Sequence, residues 1–412
     1  MTEITDPTAA EPEEGTDTDT GARTGSGSGP GLHPSRRRLL AGVAGLGFAG
    51  AVGSLRTGTT TARTRVAQLR DPLASTAALT DLQLAGQRVV YSYPGLTPPA
   101  ELLTDIENGQ VAGVIFFGEN ISSASQIAGV VSRLRAAQAA GPVAHPLLLM
   151  TDQEGGEVTR LPGAPTMSEK QIGASSNPTG QATTAGTGAG KNLASVGMNV
   201  NLAPVLDVFY TAGDFDDQYQ RSYSSDPAVA SECGSAFITA QQATGVAATA
   251  KHFPGLGSAT ASQDTDEGPV TLDVTLSQLR GTDEVPYPAA VTAGVKLVMV
   301  SWAVYPALDP SLPAGLSPVV VQQELRSRNN FWGVTITDAL EAGALSAFGT
   351  VQQRAVAAAY AGMDLILCSA RDVSQGEEAT SALASAYASG QLEPTPFNAA
   401  VNRVTALRAS LS

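Results

Sequence analysis

The stretch Val246-Ala247-Ala248-Thr249-Ala250-Lys251-His252-Phe253-Pro254-Gly255-Leu256-Gly257 runs from a small apolar segment into two basic side chains and then into Pro-Gly-x-Gly. Val246–Ala250 is continuous rather than alternating, which reads as a strand buried on both faces. The Pro and glycines force a turn and let backbone come close to a ligand. Neighbouring residues on a strand point to opposite faces, so Lys251 and His252 both reach a ligand only where the strand end bends. The competing reading is a satisfied core His beside an exposed Lys. The chain holds only four Lys and three His, so this pair at a strand end carries weight.

The same pattern recurs on both sides of this stretch. Further short apolar runs lie at Arg88–Tyr91, Val111–Phe117, Pro146–Met150, Asn199–Leu206, Lys296–Ser301, Val334–Thr337 and Asp364–Cys368. Helical patterns fall between them. In 124–140, Ile127, Val130, Val131 and Leu134 sit at i, i+3, i+4 and i+7, one helical face. Eight such runs in about 300 residues fit an α/β fold of the single (β/α)8 TIM type. A doubly wound open sheet is the alternative, but no Gly-x-Gly-x-x-Gly follows the first run. The segments 373–388 and 395–410 read as closing helices.

Polar residues gather where these strands end. The third run leads into Thr151-Asp152-Gln153-Glu154-Gly155-Gly156, with Arg160 beyond. The fourth leads into Asn201-Leu202-Ala203-Pro204-Val205-Leu206-Asp207, with Arg221-Ser222-Tyr223 in the next loop. The sixth ends at Ser301-Trp302 and the seventh in Thr337-Asp338-Ala339-Leu340. In such barrels the C-terminal strand ends build the active site. Any one of these residues alone reads as a cap or a solvated charge. Five converging strand ends do not.

The net charge of −14 argues against a nucleic-acid partner, which needs clustered Lys and Arg. Three His make a His-rich metal site untenable, and no metal or other cofactor is implied. Cys233 and Cys368 are too far apart in sequence for a Cys-x-x-Cys site. Residues 1–34, rich in Thr, Gly, Pro, Glu and Asp, read as a disordered segment. Residues 35–75 read as a signal and linker. Ser35-Arg36-Arg37-Arg38-Leu39-Leu40 precedes an apolar stretch to Gly53 and resembles a twin-arginine export signal, cut somewhere in 50–75. That stretch is short for a membrane span, so no stable span is expected after processing. The expected destination is extracellular or the cell envelope. Residues 76–412 are expected to form one catalytic barrel, taken as a monomer.

The series Asp-Gln-Glu-Gly-Gly-x-Val-x-Arg-Leu, Asn-x-Ala-Pro-Val-Leu-Asp, Arg-Ser-Tyr, Lys-His-Phe-Pro-Gly-x-Gly and Thr-Asp-Ala-Leu, in this order, resembles glycoside hydrolase family 3. It is most similar to the single-domain bacterial β-N-acetylhexosaminidases. The resemblance spans about Leu84 to Ser369. It implies a retaining, exo-acting β-glycosidase whose substrate is a β-linked carbohydrate, including cell-wall sugars. It implies Asp338 as the carboxylate nucleophile that forms a covalent glycosyl–enzyme. It implies Asp152, Arg160, Arg221, Lys251 and His252 as ligands of the sugar in the −1 subsite. Those residue types suit the chemistry, because a carboxylate attacks the anomeric carbon while charged donors and acceptors hold the ring.

One motif departs from that branch. There the general acid/base is a His in an Asp-x-His pair, thirteen residues after the motif Lys. Here that count from Lys251 lands on Asp264, and the pair's Asp position is Ser262. No His, Lys, Tyr or Cys lies between Ser258 and Gly268. Asp264 is therefore the expected acid, with Asp266 and Glu267 as the other carboxylates of the loop. A carboxylic acid in this role leads to the expectation of an acidic pH optimum. A His that the family commonly carries after the sixth strand is replaced by Trp302. Two readings stay open: an enzyme with a carboxylic acid in place of the His, or a sugar-binding protein that kept the subsite and lost turnover.

Overall fold

The computed structural model describes residues 79–411. The expected leader and signal, and the first residues of the expected barrel region, lie outside the described residues. Eight parallel strands close a barrel: β1 (Val89–Tyr91), β2 (Gly113–Ile115), β3 (Leu148–Thr151), β4 (Val200–Asn201), β5 (Ala247–Phe253), β6 (Leu297–Val300), β7 (Val334–Ala339) and β8 (Leu365–Leu367). Each pairs with its sequence neighbour, and β1 closes on β8 through Val89 with Ile366 and Val90 with Leu367.

All eight expected runs hold a strand, but their ends differ for physical reasons. The run at 199–206 contributes only Val200–Asn201. Pro204 has no N–H for the ladder, and pairing resumes only at an isolated Val205–Lys251 bridge. β5 runs past Ala250 to Phe253 and so carries Lys251 and His252 on the strand itself.

The continuous apolar runs are explained by burial on both faces. Val90, Ile115, Leu148, Met150, Leu297 and Ile336 belong to one buried cluster. Their strand neighbours Val89, Val114, Leu149, Val298 and Ile366 belong to another, with the helices. The helix expected over 124–140 spans Ala124–Ala140. Ser123 caps it by accepting from the Gln126 N–H, and Ile127, Val130, Val131 and Leu134 are buried. Cys233, in the helix Pro227–Gln242, and Cys368, just past β8, are both buried and free.

The N-terminal end of the barrel is sealed. From the helix Pro394–Ala409, Val404 and Leu407 join the cluster of Val90 and Leu148. Arg408 on the same helix donates to the carbonyls of Pro146 (2.7 Å) and His145 (2.8 Å) and to the Gln87 side chain. Beside it, the fully buried Asp364 binds Arg326 at 2.6 Å and Arg403 at 2.7 Å and accepts the Thr335 N–H at 2.9 Å. Arg88 donates to the carbonyls of Met363 (2.6 Å) and Asp364 (3.2 Å). The opposite end carries the loops that form a cleft.

Candidate active site

A cavity of about 390 Å³ opens at the C-terminal end of the barrel, within the usual range for small-molecule sites. Asp152, Arg160, Arg221, Lys251, His252, Asp264 and Asp338 all line it. Residues up to 186 positions apart in sequence thus meet in one place, as the strand-end pattern predicts.

One wall is a charge-paired set. β3 ends at Thr151 and the chain turns into a small hairpin, Gln153–Gly155 against Val158–Thr159. Gln153 anchors it, donating to the carbonyls of Leu161 (2.8 Å) and Ala164 (2.9 Å) and accepting the Leu161 N–H (3.0 Å). Gly155 has φ +115°, and a Cβ there would lie 2.2 Å from the Met167 carbonyl oxygen. With Gln153 turned into the protein, Asp152 and Glu154 share the other side, following the two-residue period of extended chain. Lys251 Nζ binds both, Asp152 Oδ1 at 2.7 Å and Glu154 Oε1 at 2.8 Å. Arg221 grips Glu154 with Nε at 2.9 Å and a second guanidinium nitrogen at 3.0 Å, and it also binds Asp216 at 2.7 Å. Burial would raise the Glu154 carboxyl, but the charges of Arg221 and Lys251 outweigh it and hold Glu154 at about 2. Arg160 lines the same wall, and its buried Nε has no protein partner.

His252 is placed by Asp207. Its Nδ1 lies 2.7 Å from Asp207 Oδ2, and Asp207 also accepts the backbone N–H groups of Leu256 (2.6 Å) and His252 (3.2 Å). Burial lowers the imidazole to about 4, so the ring is neutral and donates from Nδ1. Nε2 is then the acceptor. Burial raises both Asp207 and Asp216 to about 6. Among the described residues, Asp207, Asp216 and His252 form the one group close enough to hold a metal ion, with ligand atoms within 4.8 Å. Their atoms are largely committed to Arg221, backbone N–H groups and one another. The set works as a hydrogen-bond scaffold.

Asp338 faces this wall from β7. The register of β7 on β8 shifts between Ile336–Leu365 and Ala339–Leu367, a bulge at the strand end. Bulges re-aim side chains beside active sites. Asp338 Oδ1 accepts the Ala339 N–H at 2.8 Å, and the fully buried Trp302 donates its indole N–H to the Ala339 carbonyl at 2.8 Å. Trp302 thus pins the backbone next to Asp338.

The loop after β5 closes the mouth. Asp264 and Asp266 both line the cleft, whereas Glu267 is absent from its lining. Asp264 Oδ1 accepts the Asp266 N–H at 2.8 Å. The carbonyls of Asp266 and Thr265 accept the N–H groups of Gly343 (2.7 Å) and Ala344 (3.0 Å), just past Asp338.

Glu154, Asp207 and Asp216 were not singled out in the sequence as site residues. Glu154 had a signal, two positions from Asp152 at a strand end. Asp216 lies in the acidic stretch Asp214–Asp217, which reads as a solvated loop. Phe117, Phe215 and Tyr219 also line the cleft, with Tyr219 exposed.

Comparison with known proteins agrees with this geometry. The model of the "Glycosyl hydrolase family 3 N terminal domain" matches residues 61–407. An "Uncharacterized secreted glycosyl hydrolase" of Arthroderma benhamiae is 45% identical over 343 residues, 82% of this chain and 97% of that one. A "Beta-hexosaminidase" of Idiomarina loihiensis is 35% identical over 62% of this chain and 76% of its own. Among solved structures, a β-N-acetylhexosaminidase from Beutenbergia cavernae superposes with TM-score 0.72 at 32% identity, covering 81% of this chain and 99% of that one. A family 3 β-N-acetylglucosaminidase from Paenibacillus gives 0.76 at 33% identity over 81% of this chain, which spans 63% of that structure. Among the described residues no helix is long and apolar enough to cross a membrane. With its barrel, its cleft and a match over most of its length, this chain belongs to glycosyl hydrolase family 3 and is a glycoside hydrolase.

Proposed function

We propose that the chain is a retaining, exo-acting β-N-acetylhexosaminidase-like enzyme that releases one terminal sugar through a covalent ester to Asp338. The observation that carries this reading is the juxtaposition of Asp338 with the Asp152–Lys251–Glu154–Arg221 wall across one small cleft. The wall offers acceptors and donors to ring hydroxyls, His252 offers Nε2, and the unpartnered Arg160 Nε is a spare donor. Asp338 lines the same cleft, from which its carboxylate can attack an anomeric carbon held by that wall. Attack by Asp338 expels the aglycone, and water then cleaves the ester, so two inversions restore the β configuration. The names of the relatives support an N-acetylated hexose. We further propose that residues 35–75 act as a twin-arginine-like export leader, that a monomeric barrel from 76 onward is the catalytic domain, and that cell-wall-derived glycosides are its substrates. The relative described as secreted supports export.

The test is a panel of p-nitrophenyl β-glycosides of GlcNAc, GalNAc, Glc and Xyl, with the product anomer followed by proton NMR. The N-acetylglucosaminide should be cleaved fastest, with the β-anomer appearing first. An α-anomer would refute retention. Sugar binding without turnover of any substrate would establish the sugar-binding alternative.

A further inference from the structure

We propose that Asp266, not Asp264, is the residue that protonates the leaving group and then deprotonates water, and that Asp264 is a positioning residue for it. This rests on the retaining reading above. The two side chains share one loop and one cleft, but the structure gives them different tasks. Asp264 spends an oxygen on the Asp266 N–H at 2.8 Å, an Asx turn that fixes the backbone on which Asp266 stands. Asp266 has no such duty. Its own carbonyl and that of Thr265 are moored to Gly343 and Ala344, on the segment that leaves Asp338.

That mooring needs a glycine. A Cβ on Gly343 would lie 2.2 Å from the Glu267 carbonyl oxygen and 2.9 Å from that of Asp266. The close approach of the loop to the segment that follows Asp338 is therefore built into the backbone, and it holds Asp266 at the cleft that Asp338 also lines.

The electrostatics agree with the placement. Asp266 meets solvent at the cleft mouth, yet crowding by the cleft walls, then the charges of Asp338, Asp264 and Glu341, push it up to about 7 against the opposing charge of Arg221. A carboxylic acid is thus available near neutral pH. Among the charges acting on Asp266, that of Asp338 comes first. When Asp338 becomes an ester that charge disappears, the Asp266 pKa falls, and the same group becomes a base.

The steps balance. In the first, the Asp266 O–H bond breaks and its proton passes to the glycosidic oxygen, while Asp338 bonds to C1 and the aglycone leaves as an alcohol. In the second, Asp266 takes a proton from water, the oxygen bonds to C1, and Asp338 leaves as a carboxylate.

The experiment compares kcat/KM on methyl and 2,4-dinitrophenyl N-acetyl-β-glucosaminides for the full chain and its variants. Asp266→Ala should lose about 10²–10⁴-fold on the methyl glycoside, whose leaving group needs a proton. It should lose under about tenfold on the dinitrophenyl glycoside, which does not. Azide should raise its kcat on the latter and yield the β-glycosyl azide. The wild-type alkaline limb near pH 7 should vanish in this variant. Asp264→Asn, which keeps the turn acceptor but removes a charge, should move that limb to lower pH. Gly343→Ala should mimic Asp266→Ala more weakly. Equal losses by Asp266→Ala on both substrates, or none on either, would overturn the assignment. So would a methyl-selective loss confined to Asp264→Ala. If the wild type cleaves neither substrate, the retaining-enzyme reading itself fails, which is a separate result.

Discussion

The two ends of the barrel both bury charge, and they do so in opposite ways. At the N-terminal end Arg326 and Arg403 hold one carboxylate, Asp364, while Arg88 beside them and the other arm of Arg326 donate to backbone carbonyls. At the C-terminal end Asp152, Glu154, Glu157, Asp264, Asp266 and Asp338 outnumber Arg160, Arg221 and Lys251. That end also leaves the Arg160 Nε without a protein partner. Burial pulls Arg88 down to about 10, still cationic at neutral pH, and it pushes Asp207 and Asp216 up to about 6. A fully paired cluster is a seal. The other cluster lines an open cleft and carries an excess of carboxylates.

The comparison breaks most sharply at Asp338. Asp338→Asn should lower kcat by about 10⁴–10⁶-fold, as removal of a covalent nucleophile does elsewhere, with no change in melting temperature. Steady-state kinetics and calorimetry on the same preparation check both halves. Near-normal turnover would remove Asp338 from its role. The mirror experiment is Asp364→Ala. It strands the buried Arg326 and the half-buried Arg403 guanidinium groups and should cost about 3–5 kcal/mol of stability, read by urea unfolding. The folded fraction should keep its kcat/KM. A large loss of kcat/KM with stability unchanged would abolish the division between the ends.

A smaller effect sharpens it. Asp207, Asp216 and Asp283 are buried and raised, the last to about 7. Raised carboxyls bind protons more tightly folded than unfolded, so their contribution is complete below about pH 4 and lost as pH rises through 6 to 7. Glu154, held at about 2, works the other way. Its contribution is complete above its unfolded value of 4.5 and is lost as pH falls toward 2. Melting temperature should therefore rise by a few degrees on going from pH 8 to pH 5 and drop below pH 4. A flat profile from 8 to 5 would mean those carboxyls are better solvated than their burial implies.

The barrel was legible because two-faced burial writes itself as continuous apolar runs, and the helix at 124–140 because its buried positions repeat with a helical period. The charged wall of the cleft was legible because Asp152, Arg160 and Arg221 follow strand ends and Lys251 and His252 close the run of β5. The loop after β5 was not. Its course is set by contacts such as the Phe215 N–H on the Ala259 carbonyl and the Gly343 N–H on the Asp266 carbonyl, which leave no periodic trace. Counting thirteen residues from Lys251 reached Asp264, which lines the cleft together with Asp266 and accepts the Asp266 N–H; the count alone does not separate the two. The expectation of an acidic optimum, below that of a His-based relative, required a carboxyl raised by burial or by the nucleophile's charge, and at Asp266 burial and then Asp338 do act in that direction. Asp216 was hidden for a related reason, since nothing in an acidic run tells which member will meet a buried arginine.

The moorings of the loop at Gly343 and Ala344 are made by backbone atoms alone, and so they are indifferent to the side chain at 266. The loop behaves as a socket into which different proton-handling groups can be fitted. Asp266→His should present an imidazole at the same cleft with the Asx turn of Asp264 intact. A lineage could then exchange one donor for another in a single substitution, without rebuilding the barrel beneath it.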